Sequence, residues 1–264
     1  MHELPFDAHG SRVRWSETPG SEPARVWLHG LGGTADAAFG GVVGDLRLAG
    51  HRSLLVDLPG HGRSDRPADW SYALDAFAAV VGEVIDAAGL TSVDLVGHSM
   101  GGSIAIVLAA RRPGLVRRLV VAEANLDPLP PSPVGLGSQR IAAGPEAAFV
   151  TSGFAALMEA EPRWRPTLAQ CDPLAVHRSA VGLVAGSRPT MREMLLALPM
   201  PRTFIRGERG EALVAPETLE AAGVRIVLIR DAGHVMMTDA PEAFAVAVAQ
   251  ALGPGRGEGG ATAD

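Results

Sequence analysis

Five residues constrain this 264-residue chain more than any others. An apolar run, Val93-Asp94-Leu95-Val96, leads into Gly97-His98-Ser99-Met100-Gly101, and an apolar stretch ending at Arg111 leaves it. A short apolar run bounded by glycine reads as a buried strand, and the longer stretch as a helix. Strand must become helix within G-x-S-x-G. That turn is so sharp that its serine takes strained backbone angles, and a side chain two positions to either side would clash. The turn lifts the Ser99 hydroxyl clear of the sheet and sets it at a helix N-terminus, where the helix dipole adds positive potential.

The same rhythm recurs along the chain. Apolar runs at Arg25–Leu28, Ser53–Val56, Leu119–Ala122, Thr203–Ile205 and Arg225–Ile229 alternate with helical patterns at Ala73–Ala88, Met100–Arg111, Ala215–Ala222 and Pro241–Leu252. The alternation predicts a doubly wound α/β fold, with a mostly parallel central sheet and helices on both faces. Pro5 to Trp15 reads as an edge hairpin turning at His9-Gly10. Asp127 to Pro199 breaks the rhythm. It contains no convincing strand and reads as short helices separated by Pro and Gly, inserted between two sheet strands. The expected division is a core of residues 1–126 and 200–252, an insertion of 127–199, and a flexible Gly-rich tail of 253–264.

Composition removes several functions. Hydrophobic residues make up 47% of the chain, enough to bury a core. The net charge is −6 and no basic stripe is present, so no nucleic-acid partner is expected. All 23 basic residues other than histidine are arginine. With no lysine, the chain can form no Schiff base, hold no pyridoxal phosphate and build no P-loop. The single cysteine, Cys171, forbids an internal disulfide and offers no zinc cluster. Residues Met1 to Asp7 carry neither a basic nor an apolar targeting region, and no apolar run approaches a membrane span. A soluble, cytoplasmic protein without membrane partners is expected.

Three further segments occur in order around the serine turn: His29-Gly30-Leu31-Gly32-Gly33, Asp57-Leu58-Pro59-Gly60-His61-Gly62-Arg63-Ser64 and Asp231-Ala232-Gly233-His234. With these segments the chain resembles the α/β-hydrolase superfamily over nearly its whole length. The resemblance implies an oxyanion loop after His29, a catalytic histidine at His234, and a helical cap formed by residues 127–199.

A serine hydroxyl needs a base. Among eight histidines, His234 follows the last predicted strand and matches the superfamily position. His98 adjoins the serine, but its side chain is expected to point away from the turn. His29 and His61 are expected to hold loops by hydrogen bonds, and His2, His9, His51 and His177 to be solvated or local. Asp57 is expected to fix its turn, with Arg63 or a backbone N–H as partner. The acid is less regular. In the usual superfamily position an aspartate follows the strand after the cap; here Gly210 stands there, within Gly207-Glu208-Arg209-Gly210-Glu211. Glu123, at the end of the strand before the cap, is the preferred acid, with Glu211 and Glu208 as alternatives. Adjacent strand ends converge on one crevice, so a carboxylate on either strand could reach the histidine. The order Ser99, Glu123, His234 also suits the fold.

An oxyanion hole needs two backbone N–H groups. Met100 and Leu31 are the candidates, with Gly32 close to the second. Trp164, Met158 and Phe154 are candidate substrate-lining residues, and Gly32 is a candidate at the loop.

These parts describe serine-based acyl transfer with no metal or organic cofactor. Haloalkane dehalogenases and epoxide hydrolases of this fold use aspartate at the turn, so the serine argues against both. The expected substrate is a small, mostly apolar carboxylic ester, lactone or thioester. A carbon–carbon bond hydrolase, an acyltransferase or a cyclase could use the same residues. A non-catalytic small-molecule receptor is a third reading, suited by Gly210 at the usual acid position. A monomer or a homodimer is expected.

Overall fold

The computed structural model describes residues 1–135 and 137–253. Its strands are β1 (His2–Pro5), β2 (Arg12–Thr18), β3 (Ser21–Leu28), β4 (His51–Asp57), β5 (Val93–His98), β6 (Val116–Ala122), β7 (Arg202–Gly207) and β8 (Val224–Ile229). They form one sheet in the order β1-β2-β4-β3-β5-β6-β7-β8. The expected hairpin is β1 and β2, which pair antiparallel, and β2 pairs antiparallel with β4. Every other pairing is parallel. The hairpin turn is tied by Asp7, whose Oδ1 accepts from the backbone N–H of His9 and of Ser11, each at 2.9 Å.

Alternation along the strands divides the core in two, because successive side chains leave opposite faces of a sheet. Val26 and Leu28 of β3, and Leu95 of β5, pack on one face with Phe77 of α2 (Leu74–Ala87) and Ile104 of α3 (Met100–Arg111). Trp27 and Val96 pack on the other, with Phe39 of α1 (Ala35–Val43) and Phe244 of the last described helix (Pro241–Leu252).

Helix α1 departs from the expectation, which placed no helix there. Gly40 and Gly41 weaken its pattern. Tertiary packing and a cap supply the difference: Thr34 accepts from the Ala37 N–H at 3.4 Å, and the Phe39 ring lies 5.3 Å from that of Trp27.

Between β6 and β7 the chain is helical, as expected: α4 (Gly137–Ala142), α5 (Glu146–Ala148) passing through a π-helical turn (Phe149–Gly153) into α6 (Phe154–Ala160), α7 (Arg165–Leu168), α8 (Pro173–Ala185) and α9 (Met191–Ala197). Among the described residues the insertion contributes no strand; Cys171 makes an isolated bridge with His61. Then come α10 (Pro216–Ala221), α11 (Met236–Asp239) and α12 (Pro241–Leu252). Apart from Gly253, the tail expected at 253–264 lies outside the described residues. No described helix is long and apolar enough to cross a membrane.

Candidate active site

The strand–turn–helix at Ser99 takes the form that its sequence requires. Ser99 has φ 52° and ψ −122°, in a region that side-chain-bearing residues rarely occupy. A Cβ on Gly97 would run into the Gly101 carbonyl, and one on Gly101 would run into the Leu28 carbonyl of β3. Both glycines are therefore steric necessities of the close approach between β5, β3 and α3. Ser99 is only 7% exposed.

Sheet register brings the other groups to the same crevice. The Ser99 N–H bonds the Ala122 carbonyl at the end of β6, and the Glu123 N–H bonds the Ile205 carbonyl of β7. Ser99 and Glu123 thus stand at neighbouring strand ends. His234, in the loop between β8 and α11, reaches both. Its Nε2 accepts from the Ser99 hydroxyl at 3.0 Å, and its Nδ1 lies 3.6 Å from Glu123 Oε2. With Nε2 accepting, the proton of neutral His234 sits on Nδ1, facing the carboxylate. At 3.6 Å that is a charge contact rather than a hydrogen bond. Glu123 is buried at φ 49°, and its other oxygen accepts from the Gly207 N–H at 2.8 Å. The His234 side chain is half-exposed, so solvent reaches the array from the histidine side.

Gly210 leaves room for the Glu123 carboxylate. A Cβ at position 210 would run into the Glu123 carboxylate. The space that a side chain at 210 would need is filled by the Glu123 carboxylate from the neighbouring strand end. Glu208 is committed elsewhere, accepting from the Asp231 N–H at 3.1 Å. Glu211 lies at the surface; partial desolvation and the nearby Glu123 charge both push its carboxyl above the usual range, against the opposing pull of His234. A carboxyl biased toward its neutral form is the weaker partner for an imidazolium.

His98 adds a contact that its direction from the strand does not foretell: Nε2 donates to the His234 carbonyl at 2.8 Å, and the two rings lie 4.9 Å apart. The loop carrying His234 wraps under the end of β5, so leaving the Ser99 side of the strand does not take His98 out of the site. Burial, with the His234 ring adding to it, lowers His98 to about 3, so it stays neutral and can donate through Nε2.

Met100 opens α3, and a helix leaves the N–H groups of its first turn without internal partners. Leu31 occupies the second position of a turn closed by the Gly33 N–H to the Gly30 carbonyl at 3.1 Å, a position whose N–H the turn does not use. The turn is held from behind, as expected of His29 and His61. His29 Nδ1 donates to Gly30 O at 2.8 Å while Nε2 accepts from the Leu58 N–H at 3.0 Å; His61 Nδ1 bonds Pro59 O at 3.0 Å. Asp57 fixes its turn through backbone partners, the N–H groups of Ala35 and Arg63. The Arg63 guanidinium pairs with Asp36 instead.

The family model described as the alpha/beta hydrolase fold matches residues 26–151. The chain has the α/β-hydrolase fold. Its segments are similar to a 2-hydroxy-6-oxononadienedioate/2-hydroxy-6-oxononatrienedioate hydrolase of Burkholderia vietnamiensis, 38% identical over 42% of this chain and 39% of that one. They are also similar to an sn-1-specific diacylglycerol lipase of Mus musculus, 40% identical over 38% of this chain and 32% of that one. The aligned part thus spans about a third to two-fifths of these curated relatives. The enol-lactonase of Burkholderia xenovorans has the same fold, with a TM-score of 0.79 at 21% identity, covering 95% of this chain and 99% of that one.

In this fold the insertion lies directly on the loop after His29. Trp164 and Leu168 pack on Gly32 so closely that a Cβ there would lie 2.8 Å from the indole. Phe154 sits in the insertion's own core, edge-on to Phe149 at 5.9 Å, and Met158 is half-buried against the same cluster. His177, expected to be solvated or local, is buried there; its Nε2 bonds Gly144 O and its ring lies 5.5 Å from Phe149. A cavity of ≈ 110 Å³ borders the Glu123–His234 edge, lined also by Asn125, Arg192, Phe204 and Glu211. That is room for a group the size of a few waters. A larger groove of ≈ 370 Å³, between α1 and α12, includes none of these reactive side chains.

Proposed function

We propose that this chain is a serine hydrolase, cleaving a small, mostly apolar carboxylic ester, lactone or thioester through an acyl-enzyme on Ser99. The observation that carries the proposal is the Ser99 hydroxyl 3.0 Å from His234 Nε2 on a strained strand-to-helix turn, with Glu123 behind the imidazole. The lipase and hydrolase relatives are in keeping with it. Ser99 Oγ attacks the substrate carbonyl carbon as its proton passes to His234 Nε2. The carbonyl electrons move onto oxygen, which is received by the Met100 and Leu31 N–H groups; each such donor is worth about 3 kcal/mol in the transition state. Glu123 offsets the imidazolium charge and holds the ring with Nδ1–H inward. The tetrahedral species collapses, His234 gives its proton to the leaving oxygen or sulfur, and the acyl group stays on Ser99. Water, activated by the same histidine, then attacks the acyl carbon and releases acid and free serine. Residues 127–199 act as a cap that keeps the acyl group apart from bulk water.

The relative named for an oxononadienedioate substrate favours one second reading: carbon–carbon cleavage on the same residues. Product analysis separates the two. Purified protein is offered short and medium acyl esters, lactones and thioesters, and in parallel a β-diketone, with Ser99→Ala as control. Turnover of acyl compounds that vanishes in Ser99→Ala supports the proposal. Turnover of the diketone alone replaces it with the second reading, and an ester rate unchanged by Ser99→Ala refutes both.

A further inference from the structure

Asp239 ends α11, five positions after His234, and its two carboxylate oxygens do different things. Oδ2 accepts from the Gly233 N–H at 2.9 Å, immediately before His234. Oδ1 pairs with the Arg163 guanidinium at 3.0 Å, and Arg163 belongs to the insertion. The Asp239 side chain is largely buried, whereas Arg163 is 80% exposed. Arg163 directly precedes Trp164, whose ring packs on Gly32 of the loop after His29. The stretch from Arg163 to Leu168 therefore touches both sides of the reacting groups, one through Gly32 and the other through Asp239.

We propose that Asp239 is a positioning residue for His234, and that its pair with Arg163 latches the cap to the histidine loop. The His234 backbone is then gripped twice: its carbonyl by His98 Nε2–H, and the N–H of the residue before it by Asp239. The first grip comes from the rigid sheet. The second comes from a residue that the cap also holds, so cap seating and imidazole placement are linked. A one-ångström error in a base is enough to slow proton transfer severely. The Gly233 N–H, with Arg163 aiding, keeps the Asp239 carboxyl below the usual range, so it stays ionised through neutral pH; Arg209 is the other charge acting on it. The proposal rests on His234 being the base for Ser99.

The test measures the rate at which a small fluorophosphonate labels Ser99 across pH, a reaction that needs the base but no particular substrate. Asp239→Ala removes both contacts. Asp239→Asn keeps an acceptor oxygen for the Gly233 N–H and loses the ion pair. Arg163→Gln loses the ion pair alone. Asp239→Ala is expected to slow labelling by about tenfold or more and to displace its pH midpoint. Asp239→Asn and Arg163→Gln are expected to label within about threefold of the parent while raising KM for a bulky acyl ester, an effect that molar salt reproduces in the parent. Labelling of Asp239→Ala at the parental rate and midpoint would overturn the positioning role, as would Asp239→Asn being as slow as Asp239→Ala. An unchanged KM in Arg163→Gln would overturn the latch. If Asp239→Ala does not fold, Asp239→Leu, which likewise offers the Gly233 N–H no acceptor, takes its place with its fold checked by a melting curve. A parent protein that takes no label is a different outcome, removing the reading of Ser99 and His234 and this proposal with it.

Discussion

At the scale of single residues, the informative pair is Glu123 and Gly210. The carboxylate and the absent side chain are two halves of one arrangement, since any Cβ at 210 would occupy the space of Glu123. Glu123→Gln is expected to lower kcat about 10³-fold, because the imidazole loses the charge that orients it. Glu211→Gln is expected to stay within about threefold of the parent. Gly210→Asp alone should fail by collision, whereas Gly210→Asp combined with Glu123→Gly should recover part of the rate by returning the acid to the neighbouring strand. Steady-state kinetics of the four variants on one activated ester checks this; loss of turnover in Glu211→Gln alone would contradict it. That Ser99 would stand on a strand-to-helix turn with Met100 opening the helix was legible in the sequence, because such a turn allows few residues. That the His234 ring would come to lie beside Ser99 was legible only from its place after the last strand and from the resemblance. Glu123 was legible only as a preference. The space it fills is defined by a contact across two strands, which no local pattern records. The contact of His98 with the His234 loop was illegible for the same reason: alternation sets the direction a side chain leaves its strand, but not which loop meets it.

At the scale of elements, strands and long helices followed their apolar periodicity closely, and α3 and α12 have the bounds that the sequence predicts. Helix α1 did not, because two glycines dilute its pattern and its stability comes from packing. Phe39 has no exposed surface and closes over Trp27 between the sheet and α12. Phe39→Ala is expected to cost about 3–5 kcal/mol, measured as a shift in the denaturant midpoint at constant m-value. A cost below about 1 kcal/mol would mean that α1 is held by something other than this contact. The insertion is the element least readable in advance. That it would be helical follows from its composition. That Trp164 would lie on Gly32 while Phe154 turned into the insertion's own core depends on contacts between short helices whose patterns are too brief to orient them.

At the scale of the whole molecule, three buried histidines around the site tie stability to pH. Burial lowers His29 to about 4, His61 to about 3 and His98 to about 3; nearby histidine rings add to the lowering of His61 and His98. Their ordinary value is about 6.5, so between 6.5 and about 4 the unfolded chain binds protons that the folded protein refuses. Their contribution is therefore complete above about pH 6.5 and is lost as pH falls through that window. Each histidine adds a slope of up to about 1.4 kcal/mol per pH unit. Denaturant melts at steps from pH 7 to 4 should show a steep decline, and His61→Gln should remove about one proton from the slope. A flat profile would contradict the neutral, buried assignment of these rings.

The account stands on Ser99 being an activated nucleophile, and covalent capture tests that most directly. The protein is treated with small and large fluorophosphonates, its intact mass is measured, and the modified peptide is sequenced by mass spectrometry. One adduct per chain, on Ser99, absent in His234→Ala and slowed in Glu123→Gln, is the predicted result. No adduct with either probe, or an adduct on Ser99 that survives His234→Ala, would contradict it.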